Sequence, residues 1–192
     1  GRGTNLQSIM AAVDRGQIPA AIGVVLTDKP DAKALARAAE AGIPHAVIDR
    51  SAYETRQAFE EQLVEKLRQH EVSLVILAGF MRILSPYFVQ QYPGRILNVH
   101  PALLPAFPGA HAHRDVLAYG VKVSGCTIHF VDEGTDSGPI ILQAAVPVLP
   151  EDTEETLAER VLAEEHLLYP RAIELCVKGQ LRVEGRHVHL LS

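Results

Sequence analysis

Leu97-Asn98-Val99-His100-Pro101-Ala102-Leu103-Leu104-Pro105 places an amide and an imidazole two residues apart at the end of an apolar run. Read as a strand, the run puts Asn98 and His100 on one face, because side chains alternate along a pleated chain. Pro101 then closes the strand, since proline has no N–H to give to a ladder. Two polar side chains are thereby held at the C-terminal edge of a strand, where open α/β sheets put ligands. An amide donor beside a titratable donor suits chemistry that builds charge on a carbonyl oxygen. Taken alone, the pair reads more simply as a strand-end turn with a solvated histidine.

The elements around this strand, Arg95–His100, set the fold. Upstream, Leu6, Ile9, Met10 and Val13 recur on one helical face. Ala21–Leu26 reads as a short buried strand, and Asp31–Ala41 as an alanine-rich helix stopped by Gly42. His45–Ile48 is a short strand, Ala52–His70 a longer helix, and Leu74–Ala78 a continuous apolar strand. Ser85-Pro86 supplies an N-cap and first turn for a short helix ending near Gly94. Downstream come a helix over Ala112–Tyr119 and two long β-rich runs, Lys122–Val131 and Pro139–Val148. Asp152 with Glu155 resembles a capping box for a last long helix reaching about Lys178. Leu181–Val183 and Arg186–Leu190 form a small hairpin. Strands alternating with helices predict a doubly wound, Rossmann-like α/β sheet, mostly parallel. Strands that follow one another without helices predict an antiparallel C-terminal extension.

The 192 residues fit one domain, 1–192, with 47% hydrophobic residues for its core. Aromatics are 5% and tryptophan is absent, so aliphatic chains and alanine must fill that core. No apolar run approaches the roughly 18 residues of a membrane span. Cys126 and Cys176 lack CxxC spacing, which suits buried thiols in a reduced, cytoplasmic setting. A net charge of −5, without a basic stripe, argues against a nucleic-acid groove.

The chain opens Gly1-Arg2-Gly3-Thr4-Asn5, directly into a helix. Such a turn at a helix N-terminus can cradle a phosphate, because free N–H groups and the helix dipole both favour an anion. A loop of this kind usually follows a strand, so the expectation is a chain shortened at its start, with a slot in the sheet if that strand were central. Asp136 lies in a loop-like run, Asp132–Pro139, where turn chemistry is the simple explanation. It gains interest only if the loop folds over His100, where a carboxylate would orient the ring and raise its pKa. His111/His113 and His187/His189 are His-x-His pairs, but spacing offers no further ligands, so no metal is expected. His129 is equally well a satisfied core histidine or part of an active-site wall. Arg56 and Glu165-His166 read as helix-surface residues. Cys126 reads as a structural thiol.

Together these segments resemble the phosphoribosylglycinamide formyltransferase family, the folate-dependent transformylases of purine synthesis. The resemblance rests on Gly1–Gln7, Ala78–Ser85, Leu97–Gly109 and Gly138–Gln143, and spans nearly the whole chain. It implies that Asn98, His100 and Asp136 are the catalytic trio. Gly3, Thr4 and Asn5 would hold the substrate phosphate and Glu165 its ribose. Arg56, Met81, Arg82, Ile83, Leu84, Asn98 and the loop Asp132, Glu133, Gly134, Thr135 and Asp136 would surround the folate. The implied donor is 10-formyltetrahydrofolate, as co-substrate, and the implied acceptor is the amine of glycinamide ribonucleotide. The implied enzyme is a cytoplasmic monomer or homodimer without metal. Two other readings stand beside it: a formyltetrahydrofolate deformylase, with water as acceptor, and a non-catalytic nucleotide-binding module.

Overall fold

The computed structural model describes residues 3–192. Helix α1, Thr4–Asp14, starts where Gly3 takes a left-handed conformation, φ 67°. Strand β1, Val25–Thr27, and strand β2, His45–Val47, flank helix α2, Lys33–Glu40, and pair in parallel. Strand β3, Val75–Ile76, and strand β4, Ile96–His100, also pair in parallel. Between them run helix α3, Arg56–Gln69, and helix α4, Pro86–Gln91. Beyond β4 come helix α5, Ala112–Tyr119, strand β5, Val123–Phe130, and strand β6, Ile140–Pro147. The order β3-β4-β5-β6 turns antiparallel at β5, which runs against β4 although helix α5 lies between them; the antiparallel β5-β6 pair is the one that the uninterrupted late strands predict. Helix α6, Glu154–Val177, and the hairpin of β7, Leu181–Glu184, and β8, His187–Leu190, complete the chain.

The alternation along β4 divides the core. Ile96 packs with Phe59, Leu63, Val64 and Leu67 of α3 and Phe88 of α4. Leu97 points the other way, to Ile9 and Ala12 of α1 and Tyr169 and Ile173 of α6. Tyr169 is fully buried, with its hydroxyl 2.6 Å from the Leu77 carbonyl oxygen, fastening α6 beneath β3 and β4. Asn98 and His100 share the face of Ile96 and emerge where β4 ends.

A cleft of about 1650 Å3 runs between β1 and β3, lined by Val24–Thr27 on one side and Leu74–Ala78 on the other. The Val25 N–H donates to Pro44 and the Thr27 carbonyl accepts from Ile48, so the backbone groups of Leu26 face the cleft. Val75 and Leu77 donate to Arg95 and Leu97, which turns those of Ile76 toward the same cleft.

Some boundaries differ from the sequence-based expectations. The helix expected from Ala52 is broken: Arg50–Ala52 is a 3-10 turn capped by Asp49, and α3 starts afresh at Arg56 with Thr55 as its N-cap. Arg56 is therefore the first residue of its helix. The capping box of α6 is Thr153 with Thr156, not Asp152 with Glu155. Asp152 is drawn away by Arg160, at 2.7 Å, and by the Leu149 N–H.

Candidate active site

The end of β4 meets two loops. The loop after Pro101 is tied to the sheet through Thr127, which accepts from the Leu104 N–H and donates to the Ala102 carbonyl. Gln143 adds a hydrogen bond to the Leu104 carbonyl. The second loop, 131–139, joins β5 to β6. Asp132 organises it by accepting from the Gly134 N–H and the Ser137 hydroxyl. Gly138 lies so close to the Phe130 carbonyl that a Cβ there would sit 1.7 Å from its oxygen.

This second loop does fold over His100. Asp136 Oδ2 stands 3.4 Å from His100 Nδ1 and accepts from the Gly109 N–H at 2.8 Å. His100 is 4% exposed, and its Nε2 lies 2.7 Å from the Phe107 carbonyl oxygen. Both ring nitrogens thus face oxygen acceptors. Phe107 and Asp136, whose oxygens face the ring nitrogens, adopt φ of 52° and 51°. Left-handed backbone is unfavourable for residues with a Cβ, and it tends to gather at functional sites. The simple readings, a solvated His100 and an Asp136 serving only its own turn, are both set aside.

Asn98 is half-buried, and its side-chain amide nitrogen lies 3.4 Å from His129 Nε2. His129 is buried near the end of β5, where desolvation lowers its pKa against the opposing pull of Phe130 and Asp136.

A second group of residues gathers at the start of α1. The first intrahelical bond there runs from the Gln7 N–H to the Gly3 carbonyl, which leaves the N–H groups of Thr4, Asn5 and Leu6 without helical acceptors. Asn5 Nδ2 donates to Glu165 Oε2 at 3.0 Å, while Asn5 Oδ1 is buried with no hydrogen-bond partner. Glu165 is 7% exposed, which corrects its reading as a helix-surface residue. Burial raises its pKa, and the Asn5 hydrogen bond opposes that rise. Helical periodicity leaves Glu165 facing inward, but only the packing of α6 on α1 shows what it meets. Gly1 and Arg2 of the expected phosphate turn lie outside the described residues. His113 of α5 borders the same cleft, its Nδ1 buried without a partner and its pKa lowered by burial.

A third group lines a cavity of about 420 Å3. Arg56, Met81, Arg82 and Ile83 meet there with Arg50, Phe59 and Phe80. Arg82 reaches Asp28 at 2.7 Å and stacks over the Phe59 ring. Leu84, expected with them, is buried in the core beside Phe59 and Phe88. The remaining expected folate residues, Asp132–Asp136, stand apart in the loop by His100, where Glu133 accepts from Gln90 of α4.

Arg50, His113, the Phe107 carbonyl and the Gly109 N–H were missed as site groups by sequence reasoning. The last two are backbone atoms and leave no side-chain signal. Cys126 is fully buried, with its thiol pushed up to about 12, so it is no nucleophile. His187 and His189 are exposed on the hairpin, with His189 3.4 Å from Glu184. Among the described residues, no three His, Cys, Asp or Glu side chains gather as metal ligands. None of the described helices is long and apolar enough to cross a membrane.

Residues 1–173 match the formyl transferase family. The chain is 43% identical over 183 residues to phosphoribosylglycinamide formyltransferase of Escherichia coli K12, covering 95% of this chain and 86% of that protein. It superposes on the crystal structure of glycinamide ribonucleotide transformylase 1 from Symbiobacterium toebii with a TM-score of 0.98 and 52% identity, covering 100% of this chain and 91% of the other. It is also 46% identical to a segment of the trifunctional purine biosynthetic protein adenosine-3 of Drosophila melanogaster. That match covers 93% of this chain but only 13% of the fly protein.

Proposed function

The chain belongs to the formyl transferase family, and from that premise we propose that it transfers a formyl group from 10-formyltetrahydrofolate to the amine of glycinamide ribonucleotide in purine biosynthesis. The observation that carries this reading is the meeting of Asn98, His100 and Asp136 at one strand end, with an amide, an imidazole and a carboxylate brought from β4 and a separate loop. The named relatives support the choice of acceptor and the transfer of a formyl group.

The chemistry follows from the residue types. The neutral amine attacks the formyl carbon; a C–N bond forms and the carbonyl electrons move to oxygen. Asn98 donates to that oxyanion through its amide. His100 donates through Nε2, once the N–H leaves the Phe107 carbonyl for the stronger, charged acceptor. One such donor is typically worth about a hundred- to a thousandfold in rate. Asp136 orients the His100 ring through Nδ1. It also assists the proton lost by the attacking nitrogen toward the departing folate nitrogen, as the second C–N bond breaks. No enzyme nucleophile is required, in keeping with the inert Cys126.

The start of α1 suits the phosphate and ribose of the acceptor. Its free N–H groups attract an anion, and the unpartnered Asn5 Oδ1 can take a hydroxyl. Arg50, Arg56 and Arg82, set among Phe59, Phe80 and Met81, suit a ligand with aromatic and carboxylate parts. Holding both substrates together is itself a large share of catalysis, because it turns a bimolecular step into a nearly unimolecular one.

The test is consumption of 10-formyltetrahydrofolate by the purified chain, with and without glycinamide ribonucleotide. Consumption that depends on the ribonucleotide supports the transferase. Consumption without it favours the deformylase, and binding of ribonucleotide without any turnover favours a nucleotide-binding module. His100→Ala and Asp136→Ala should each lower kcat by about a hundredfold or more. Near-parental turnover in either variant sinks the assigned roles.

A further inference from the structure

His129 is a buried group that the mechanism above does not use. Register makes it the direct cross-strand partner of Asn98, so the two side chains share one face of the sheet. Its Nδ1 lies 3.0 Å from the Phe130 carbonyl oxygen. A carbonyl can only accept, so Nδ1 carries the hydrogen. Burial lowers the ring's pKa against the pull of Phe130, Asp136 and Asp132, and His100 adds to the lowering. In a neutral ring with the proton on Nδ1, the lone pair must be on Nε2. That lone pair faces Asn98 Nδ2 at 3.4 Å, and Asp136 Oδ1 stands farther off at 3.9 Å.

We infer that His129 is a positioning residue for formyl transfer: its bare Nε2 accepts one hydrogen of the Asn98 amide and so fixes which end of that amide meets the reacting oxygen. If the amide flipped, Asn98 Oδ1 would lie against the Nε2 lone pair, oxygen against nitrogen with no hydrogen between them. With the amide held, the second Nδ2 hydrogen is left for the oxyanion. Without His129 both orientations become accessible, and the flipped one presents an acceptor to a developing negative charge. This inference rests on the function proposed above, but its spectroscopic test does not.

The experiment compares kcat and KM of the full chain with His129→Leu, which removes both ring nitrogens, and His129→Gln, whose carboxamide oxygen restores an acceptor. His129→Leu should lower kcat about tenfold or more, a fraction of what losing an oxyanion donor costs, with KM for both substrates nearly unchanged. His129→Gln should recover most of that loss. In an Asn98→Ala background, His129→Leu should cost nothing further, since the two residues act as one unit. An undiminished kcat in His129→Leu, or an equal loss with and without Asn98, overturns the assignment. Nitrogen NMR of the ring in the unsubstituted chain decides the same point without catalysis or folding of a variant. A protonated Nδ1 with a bare Nε2 is expected, and a protonated Nε2 overturns the inference. If the unsubstituted chain transfers no formyl group, the proposed function fails, while the ring spectrum still reports on His129.

Discussion

At the scale of single residues, burial separates two kinds of side chain that look alike in sequence. Cys126 and His100 are both reactive types near one strand end. Cys126 is sealed at 0% exposure with its thiol raised to about 12, so it stays protonated and shielded. It should resist a thiol-modifying disulfide reagent at pH 8 in the folded chain and react at once in denaturant. Rapid labelling of Cys126 under native conditions, read by peptide mass, would contradict that packing. His100 is buried nearly as deeply, yet each ring nitrogen has an oxygen beside it. The shared strand face of Asn98 and His100 was legible from their spacing and the proline that follows, although the pair alone reads as a plain strand-end turn. Glu165 was not, because nothing in a helix-interior glutamate says that an asparagine from the opposite end of the chain will meet it.

At the scale of elements, the loop between β5 and β6 decides whether Asp136 reaches His100. Its path is fixed by Asp132 hydrogen bonds and by the close approach of Gly138 to the Phe130 carbonyl. A methyl group at Gly138 would meet backbone that cannot rotate away. Gly138→Ala should therefore destabilise the protein by about 2 kcal/mol or more, whereas Glu133→Ala at the exposed tip should stay within about 0.5 kcal/mol. Equal urea midpoints for the two variants would show that the loop base is not held as described. The junction of α3 and α4 follows the same logic. Buried Glu60 accepts from both the backbone N–H and the hydroxyl of Ser85, the N-cap of α4. The Ser85-Pro86 signal predicted the cap, but the carboxylate that completes it comes from another helix.

At the scale of the whole molecule, stability should depend on pH through buried His129 and half-buried His113 and His166. His113, His129 and His166 all have pKa values lowered by burial. Above the ordinary histidine value of about 6.5 their contribution is complete. As pH falls below it, the unfolded chain takes up protons that the folded chain refuses, so stability declines. Glu165, with its pKa raised, opposes this in the more acidic range, because protonating it favours the folded state. The melting temperature should therefore fall between pH 7.5 and pH 5.5, and less steeply in His129→Gln. Parallel pH profiles for the two proteins would remove His129 from the account. The apolar walls of the cleft between β1 and β3 carry a separate expectation. A cleft of about 1650 Å3 lined by Val24, Leu26, Leu74 and Ile76 should bind an anilinonaphthalene dye in the native state. Dye fluorescence that stays at its level in buffer would show that these walls close on one another in solution.

The sequence by itself determined the α/β alternation, the antiparallel pairing of β5 with β6, the short capped helix after Ser85 and the shared face of Asn98 and His100. Each of these depends on local rules: side-chain period, capping chemistry, and the missing N–H of proline. The tertiary structure alone decided that Asp136 lies over His100, that Glu165 is buried against Asn5, that Asn98 faces His129, and that Arg56 joins Arg50 and Arg82 around one cavity. Those relations join residues far apart in the chain, and they are set by strand register and helix packing, which no single segment encodes.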